Sequence, residues 1–150
     1  MDNAQYGFES SSQLWTMAAG SGAFTSIVRS TAQHFAGQAS LGASINATSA
    51  TTFIVEVSPP MPAIAAGASV AFHIYVPAGT GLSSMQPYVL ESGSFRFTGT
   101  NTVAGAFSLD GWTTVTVTVP TNAMPILRLG VQFVSSGTWT DTVYLDGISW

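Results

Sequence analysis

The chain has no cysteine and no lysine. Without cysteine there is no disulfide, no thiolate metal site and no cysteine nucleophile. Without lysine, the basic side chains are Arg29, Arg96 and Arg128, set against seven acids for a net charge of −4. That balance does not neutralise phosphates, so nucleic acid is not expected as a partner. Charge of either sign is scarce, at 7% of residues. The surface must therefore be made of Ser, Thr, Asn, Gln and Gly, which suits neutral, hydroxyl-rich ligands better than ionic ones. No apolar run nears the roughly 20 residues of a membrane span, and no membrane partner is expected. The start, MDNAQYGFE, is too polar for a secretory leader. Met1 is expected to be a start residue added to a mature domain cut from something larger.

What is present is a core for one domain: 150 residues, 46% of them hydrophobic. There is no internal repeat, no boundary and no long 3.6-residue period, so residues 1–150 read as a single all-β domain. Period-2 alternation recurs along the chain. It predicts strands at 24–28, 41–46, 51–57, 70–76, 85–90, 94–98, 112–119, 127–134 and 142–150. Pro87 makes its strand an edge or irregular one. Leu127, Leu129, Val131 and Phe133 are expected to point inward, Arg128, Gly130 and Gln132 outward. Nine or ten short strands with turns between them predict two antiparallel sheets in a sandwich or jelly roll.

The four tryptophans divide by context. Trp112 heads a Val/Thr strand and Trp150 ends one, so both read as packing residues. Trp15 and Trp139 sit in Ser-, Gly- and Thr-rich stretches, SSSQLWTMAAGSG and SSGTWTD, and are expected to be exposed rings. His73, Tyr75, Gln86, Tyr88, Arg128 and Gln132 occupy the non-core faces of their strands. Amides donate and accept, and guanidinium donates, as paired sugar hydroxyls require. Gly130, between Arg128 and Gln132, is expected to leave a gap for a sugar ring.

Four stretches, GFESSSQLW, VAFHIYVPAG with MQPYV, DGWTTVTVTVP, and LGVQF ending in TWTDTVYLDGISW, stand in an order that resembles a known group. These are the β-sandwich carbohydrate-binding modules of the galactose-binding-like group, with families 4, 16 and 22 nearest. The resemblance implies a jelly-roll-like sandwich and a structural calcium tying the first strand to the last through Glu9 and Asp146. Calcium takes about 6–8 oxygen ligands. The resemblance further implies a polysaccharide or oligosaccharide partner, for which the residues read above, Trp15, Trp139, Gln86, Tyr88, Gln132, Arg128, His73 and Tyr75, are the candidate contacts, with the two tryptophans expected to flank the sugar from one rim. It implies a secreted, extracellular bacterial setting, a monomeric module, and the targeting of a glycoside hydrolase to plant cell-wall glucan, mannan or xylan. Arg96 in SFRFTG departs from the aromatic-rich strand of related modules.

Catalysis has little support. His34 and His73 are the two histidines, and no serine lies in a nucleophile-elbow pattern. Glu56 and Glu91 could serve as a glycosidase pair, but neither has a motif around it. The sequon at Asn46 is a chance-level match. A structural or adhesive β-sandwich of a bacterial surface protein stays open beside the glycan-binding reading, and a small hydrolase is a third.

Overall fold

In a computed structural model that describes residues 4–79 and 81–150, the chain forms two antiparallel sheets. Met1, read above as an added start residue, lies outside the described residues. The strands are β1 (Thr16–Met17), β2 (Phe24–Ser30), β3 (Ser40–Ala47), β4 (Thr51–Val57), β5 (Ser69–Val76), β6 (Leu82–Glu91), β7 (Phe97–Gly99), β8 (Thr102–Val103), β9 (Gly111–Thr118), β10 (Ile126–Ser135) and β11 (Trp139–Ser149). One sheet has the order β1-β4-β10-β6-β7, with β8 also paired to β6; the other has the order β2-β3-β11-β5-β9. The all-β sandwich expected from the alternation is the observed fold.

Alternation sets which residues fill the space between the sheets, because successive side chains in a strand point to opposite faces. Phe53, Val55 and Val57 of β4, Met85 and Val89 of β6, and Leu129, Val131 and Phe133 of β10 are buried from one side. Leu41, Ala43 and Ile45 of β3, Phe72, Ile74 and Val76 of β5, and Val143 and Leu145 of β11 meet them from the other. The edge-to-face contact of Phe24 with Phe53, centroids 5.0 Å apart, is one point where the sheets interlock.

Two local readings are corrected. Leu127 does not continue the inward row. A register shift between Ile126 and Arg128 inserts an extra residue, and Ile126 takes the buried position instead. Pro87 is not on an edge strand, since β6 lies between β10 and β7. The Pro87 carbonyl accepts the Thr100 N–H at 3.0 Å, so this residue's backbone groups face the β7–β8 side. There the neighbouring strand is broken between Gly99 and Thr102. The missing proline N–H falls at that break, where no ladder bond is lost.

The N-terminal segment closes against the last strand. Tyr6 and Ile148 exchange backbone hydrogen bonds, both at 3.1 Å. The Tyr6 ring packs on Phe8, Trp15 and Trp150, with centroids 6.2, 5.6 and 5.8 Å away. Trp150 is half-buried against the core, in line with its reading as a packing residue.

Candidate functional site

The fold divides the residues singled out above between two opposite faces. Gln86, Tyr88, Arg128 and Gln132 lie on the outer face of the six-stranded sheet. His73 and Tyr75 lie on the outer face of the five-stranded sheet. Sheets that pack face to face turn their outer faces in opposite directions, so these six residues are not one site.

On the six-stranded face the register is close. Gln132 of β10 stands directly opposite Gln86 of β6 on one side and Ile54 of β4 on the other. Gly130 stands between Tyr88 and Glu56. Both glutamines are half-buried. The Gln86 side chain lies across Gly99, where a Cβ would meet its Nε2 at 2.9 Å and the Pro87 carbonyl oxygen at 2.9 Å. A side chain at position 99 would thus displace the amide.

The gap expected at Gly130 is filled. A Cβ there would meet the Val55 carbonyl oxygen at 2.6 Å, the Tyr88 hydroxyl at 2.9 Å and the Glu56 Cβ at 3.0 Å. The glycine makes room for a protein contact rather than for a ligand. Across it, the Tyr88 hydroxyl donates to Glu56 Oε2 at 2.8 Å. Arg128 Nη1 lies 3.8 Å from Glu56 Oε1, with its side chain 45% exposed. Phe97 of β7 stacks on Tyr88 with centroids 4.6 Å apart and planes at 19°. Burial, and then the Glu56 hydrogen bond, push the Tyr88 phenol well above its ordinary range. Tyr88, at 3% exposure, therefore supports the face from below and does not itself offer a contact surface.

The two tryptophans expected to flank a sugar are in the core. Trp15 is 1% exposed and Trp139 is 4% exposed. Trp15 packs edge-on to Tyr6 and Phe8, and Trp139 begins β11 and packs on Phe53. They also stand at opposite ends of the sandwich. Trp139 opens β11, and Ile148, partner of Tyr6, lies nine residues further along it, a rise of roughly 30 Å. Neither ring presents a face to a ligand, and they do not share a rim. Two exposed apolar groups at or beside the edge strands of the six-stranded sheet were not singled out from the sequence. Leu14, just before β1, is 83% exposed, and Phe97, on β7 at the far edge, is 42% exposed. Leu14 also holds a left-handed backbone, φ +68, which a leucine rarely adopts.

Trp112 corrects the opposite expectation. It lies in phase with Thr114, Thr116 and Thr118, so it points outward beside Tyr75.

Glu9 and Asp146 hold one turn between them. Asp146, fully buried, accepts the Phe35 and Ala36 N–H groups on Oδ2 at 2.7 and 3.0 Å, and the Gly147 N–H on Oδ1 at 2.7 Å. The Glu9 carboxylate accepts the Gln38 N–H at 3.0 and 3.1 Å. Gly37, at φ +66, lies so close beneath Glu9 that a Cβ would run into the carboxylate. Carboxylate oxygens are a donor type that calcium takes, and here those of Asp146 and Glu9 already accept N–H groups of the turn and of Gly147. Among the described residues no cluster of three or more His, Cys, Asp or Glu side chains exists. A calcium ion here would thus complete its shell with backbone carbonyls and water.

The nominated acid pair does not form a catalytic site. Glu91 is 1% exposed and is clamped by Arg96, whose Nε and Nη2 both donate to it, and by the Met124 N–H at 2.7 Å. Glu56 is engaged by Tyr88. A buried, ion-paired carboxylate does not reach a glycosidic bond.

No protein-family model and no curated protein matches the sequence. Solved structures do match the fold. A carbohydrate-binding module of the β-sandwich superfamily, studied for promiscuous specificity, superposes with a TM-score of 0.88 at 21% identity, over 99% of this chain and 62% of that one. This chain therefore spans less than two thirds of that protein. A family 28 module specific for non-crystalline cellulose gives a TM-score of 0.71 at 16% identity, over 97% and 92% of the two chains. The xylan-binding family 22 module of Xyn10C from Paenibacillus barcinonensis gives 0.61 at 15% identity, over 95% and 88%. The chain has the β-sandwich fold of carbohydrate-binding modules.

Proposed function

We propose that this chain is a non-catalytic carbohydrate-binding module that takes a neutral β-glycan across the outer face of its six-stranded sheet. The observation that carries the proposal is the cross-strand pair Gln86 and Gln132, two half-buried amides in register at the middle of that face. Each amide offers donors and an acceptor in the pairings that adjacent hydroxyls take. Exposed Arg128 adds donors beside them, and Leu14 and Phe97 supply apolar borders on either side. The low charge of the chain, 7% of residues, favours a neutral ligand.

The similar structures include modules described as binding non-crystalline cellulose, xylan and mannan. The proposal extends that range to this chain: it is secreted, works as a monomeric module, and holds a glycoside hydrolase on plant cell-wall glucan, mannan or xylan. Tethering raises the effective concentration of a catalytic domain at its substrate. Glu9 and Asp146 hold a structural calcium in this reading.

The test is affinity electrophoresis against soluble glucans, mannans and xylans, followed by calorimetry of the ligand that retards the protein. Gln86→Ala and Gln132→Ala should each weaken binding by about 1 kcal/mol, roughly fivefold, with melting temperatures unchanged. Binding should hardly depend on salt, since screening acts on charges. Retardation by no polysaccharide would remove the proposal and leave a structural or adhesive sandwich.

A further inference from the structure

The outer face of the five-stranded sheet carries a row of side chains that the reading above leaves unused. Register places Trp112 of β9, Tyr75 of β5, Tyr144 of β11, Gly42 of β3 and Val28 of β2 side by side across all five strands. Tyr75 touches both neighbours, with ring centroids 5.6 Å from Trp112 and 5.9 Å from Tyr144. Phe35, from the turn that Glu9 and Asp146 hold, widens the row. Its ring stacks on His73 at 3.7 Å and lies 5.9 Å from Trp112. The row ends on a ledge: Gly42 has no side chain, and Val28 beyond it is 52% exposed.

Packing the core does not require these rings. The same strand, β9, faces solvent with Thr114, Thr116 and Thr118, all exposed. Placing partly exposed Trp, Tyr and Phe side by side on an otherwise threonine-type surface concentrates apolar area where water must cover it, and such patches mark contact surfaces. The surroundings specify the contact. Ser44 and Thr142 pair their hydroxyls at 3.1 Å next to the row, and Thr140 donates to the Asn46 amide oxygen at 3.1 Å one step further along the same two strands. Of the outward-register residues of these five strands, none is Arg or Lys, and the one acid, Asp146, is buried against the turn. A ligand suited to this face is uncharged, with apolar C–H faces to lie on the rings and hydroxyls to meet the Ser, Thr and Asn side chains. Burial, and then the charge of exposed Asp141 on the same strand, push the Tyr144 phenol up, so the one nearby charge is negative and an anionic polymer finds no complementary charge there.

We infer that this face is a second glycan-binding surface, taking a neutral polysaccharide chain across the strands along Trp112, Tyr75 and Tyr144. The inference rests on the chain being a glycan-binding module. The row spans four strand spacings from Trp112 to Val28, roughly 19 Å, long enough for a short oligosaccharide. Because the two outer faces point away from each other, one glycan chain does not occupy both. A domain with both surfaces holds two chains at once and cross-links them, which a single-site module does not do.

The experiment takes the polysaccharide that retards the wild type and a short oligosaccharide prepared from it. Calorimetry gives the number of oligosaccharides bound per protein, and light scattering with the intact polysaccharide reports cross-linking. The variants are Trp112→Ala with Tyr144→Ala for this face, Phe35→Ala as a milder change at an exposed ring, and Gln86→Ala with Gln132→Ala for the opposite face. Melting temperatures accompany each. The expected result is two sites in the wild type and cross-linking of the polymer. The double aromatic variant should bind one, at the glutamine face, and lose cross-linking. Phe35→Ala should weaken the second site about tenfold, as loss of a ring contact does. One site in the wild type, abolished by the glutamine changes and untouched by Phe35→Ala, overturns the inference and leaves the first face standing. A concentration-dependent dimer that the aromatic changes dissolve also overturns it, because the row is then a protein contact. Absence of binding to any glycan overturns both readings together.

Discussion

The Tyr88 hydroxyl donates to the Glu56 carboxylate at 2.8 Å directly over Gly130, joining the three central strands of the six-stranded sheet, β6, β10 and β4. The bond is shielded, since Tyr88 is 3% exposed beneath Phe97. Tyr88→Phe keeps the ring and removes a hydrogen bond to a charged group, which is worth about 1.5–3 kcal/mol. Gly130→Ala forces a Cβ against the Val55 carbonyl oxygen at 2.6 Å, a backbone atom that has no rotamer to retreat into. Overpacking of this kind costs about 1–3 kcal/mol. Urea unfolding should show both losses. A wild-type midpoint for Gly130→Ala would mean that the two strands are less closely apposed.

The tryptophans yield a second prediction. Trp15→Ala and Trp139→Ala each empty a large volume in the core, and such changes cost about 3–5 kcal/mol. Differential scanning calorimetry should show large drops in melting temperature for both, whereas the half-exposed Trp112 should tolerate the same change better. If either core variant melts like the wild type, its ring does not pack where it is placed.

The reasons for success and failure in reading the sequence lie in which information is local. Strand β4, Thr51–Val57, matches its alternation residue for residue because it is a central strand with one buried face. The phase of β10 fails at Leu127 because a bulge shifts register by one residue, and an inserted residue leaves no mark on hydrophobicity alone. Trp15 and Trp139 look exposed because their sequence neighbours are polar. Their partners in space, Tyr6, Phe8 and Phe53, come from elsewhere in the chain. Trp112 was misread as a packing residue, although it sits on the threonine phase of its strand rather than the valine phase, and that parity places it outside. The separation of Gln86 and Gln132 from His73 and Tyr75 was not legible, since sheet order depends on long-range pairing that no local pattern encodes.

The Glu91–Arg96 pair predicts how stability varies with pH. The Arg96 guanidinium holds the Glu91 carboxyl below its ordinary value of 4.5, and the Met124 N–H adds to the effect. The unfolded chain therefore takes up this proton at a higher pH than the folded one. The contribution is fully present above the unfolded value and is lost as pH falls from about 4.5 through the depressed folded value. Urea midpoints measured between pH 7 and pH 3 should fall steeply at the acid end in the wild type. Glu91→Gln, which does not titrate, should start lower and show a shallower decline. Parallel profiles would assign the acid sensitivity to other carboxylates.

The calcium proposal separates from a purely protein-held turn by the way its loss responds to metal. If Glu9 and Asp146 only accept N–H groups, those of residues 35–38 and Gly147, then Asp146→Ala destabilises the turn equally with and without calcium. If they hold the ion, binding to the folded state alone adds stability that grows with free calcium, about 2.7 kcal/mol at one hundred times the dissociation constant. Chelation should then lower the melting temperature of the wild type, and added calcium should restore it. Asp146→Ala should melt low and respond to neither, because the fully buried carboxylate is the ligand least replaceable by water. Glu9→Gln keeps an oxygen near the Gln38 N–H but loses the charge, so it should weaken the response without abolishing it. Magnesium makes a useful control, since it demands stricter octahedral geometry and gives up its water reluctantly. A wild-type melting curve that ignores chelator, with removal of metal verified by elemental analysis, leaves the two carboxylates as caps on the turn and nothing more.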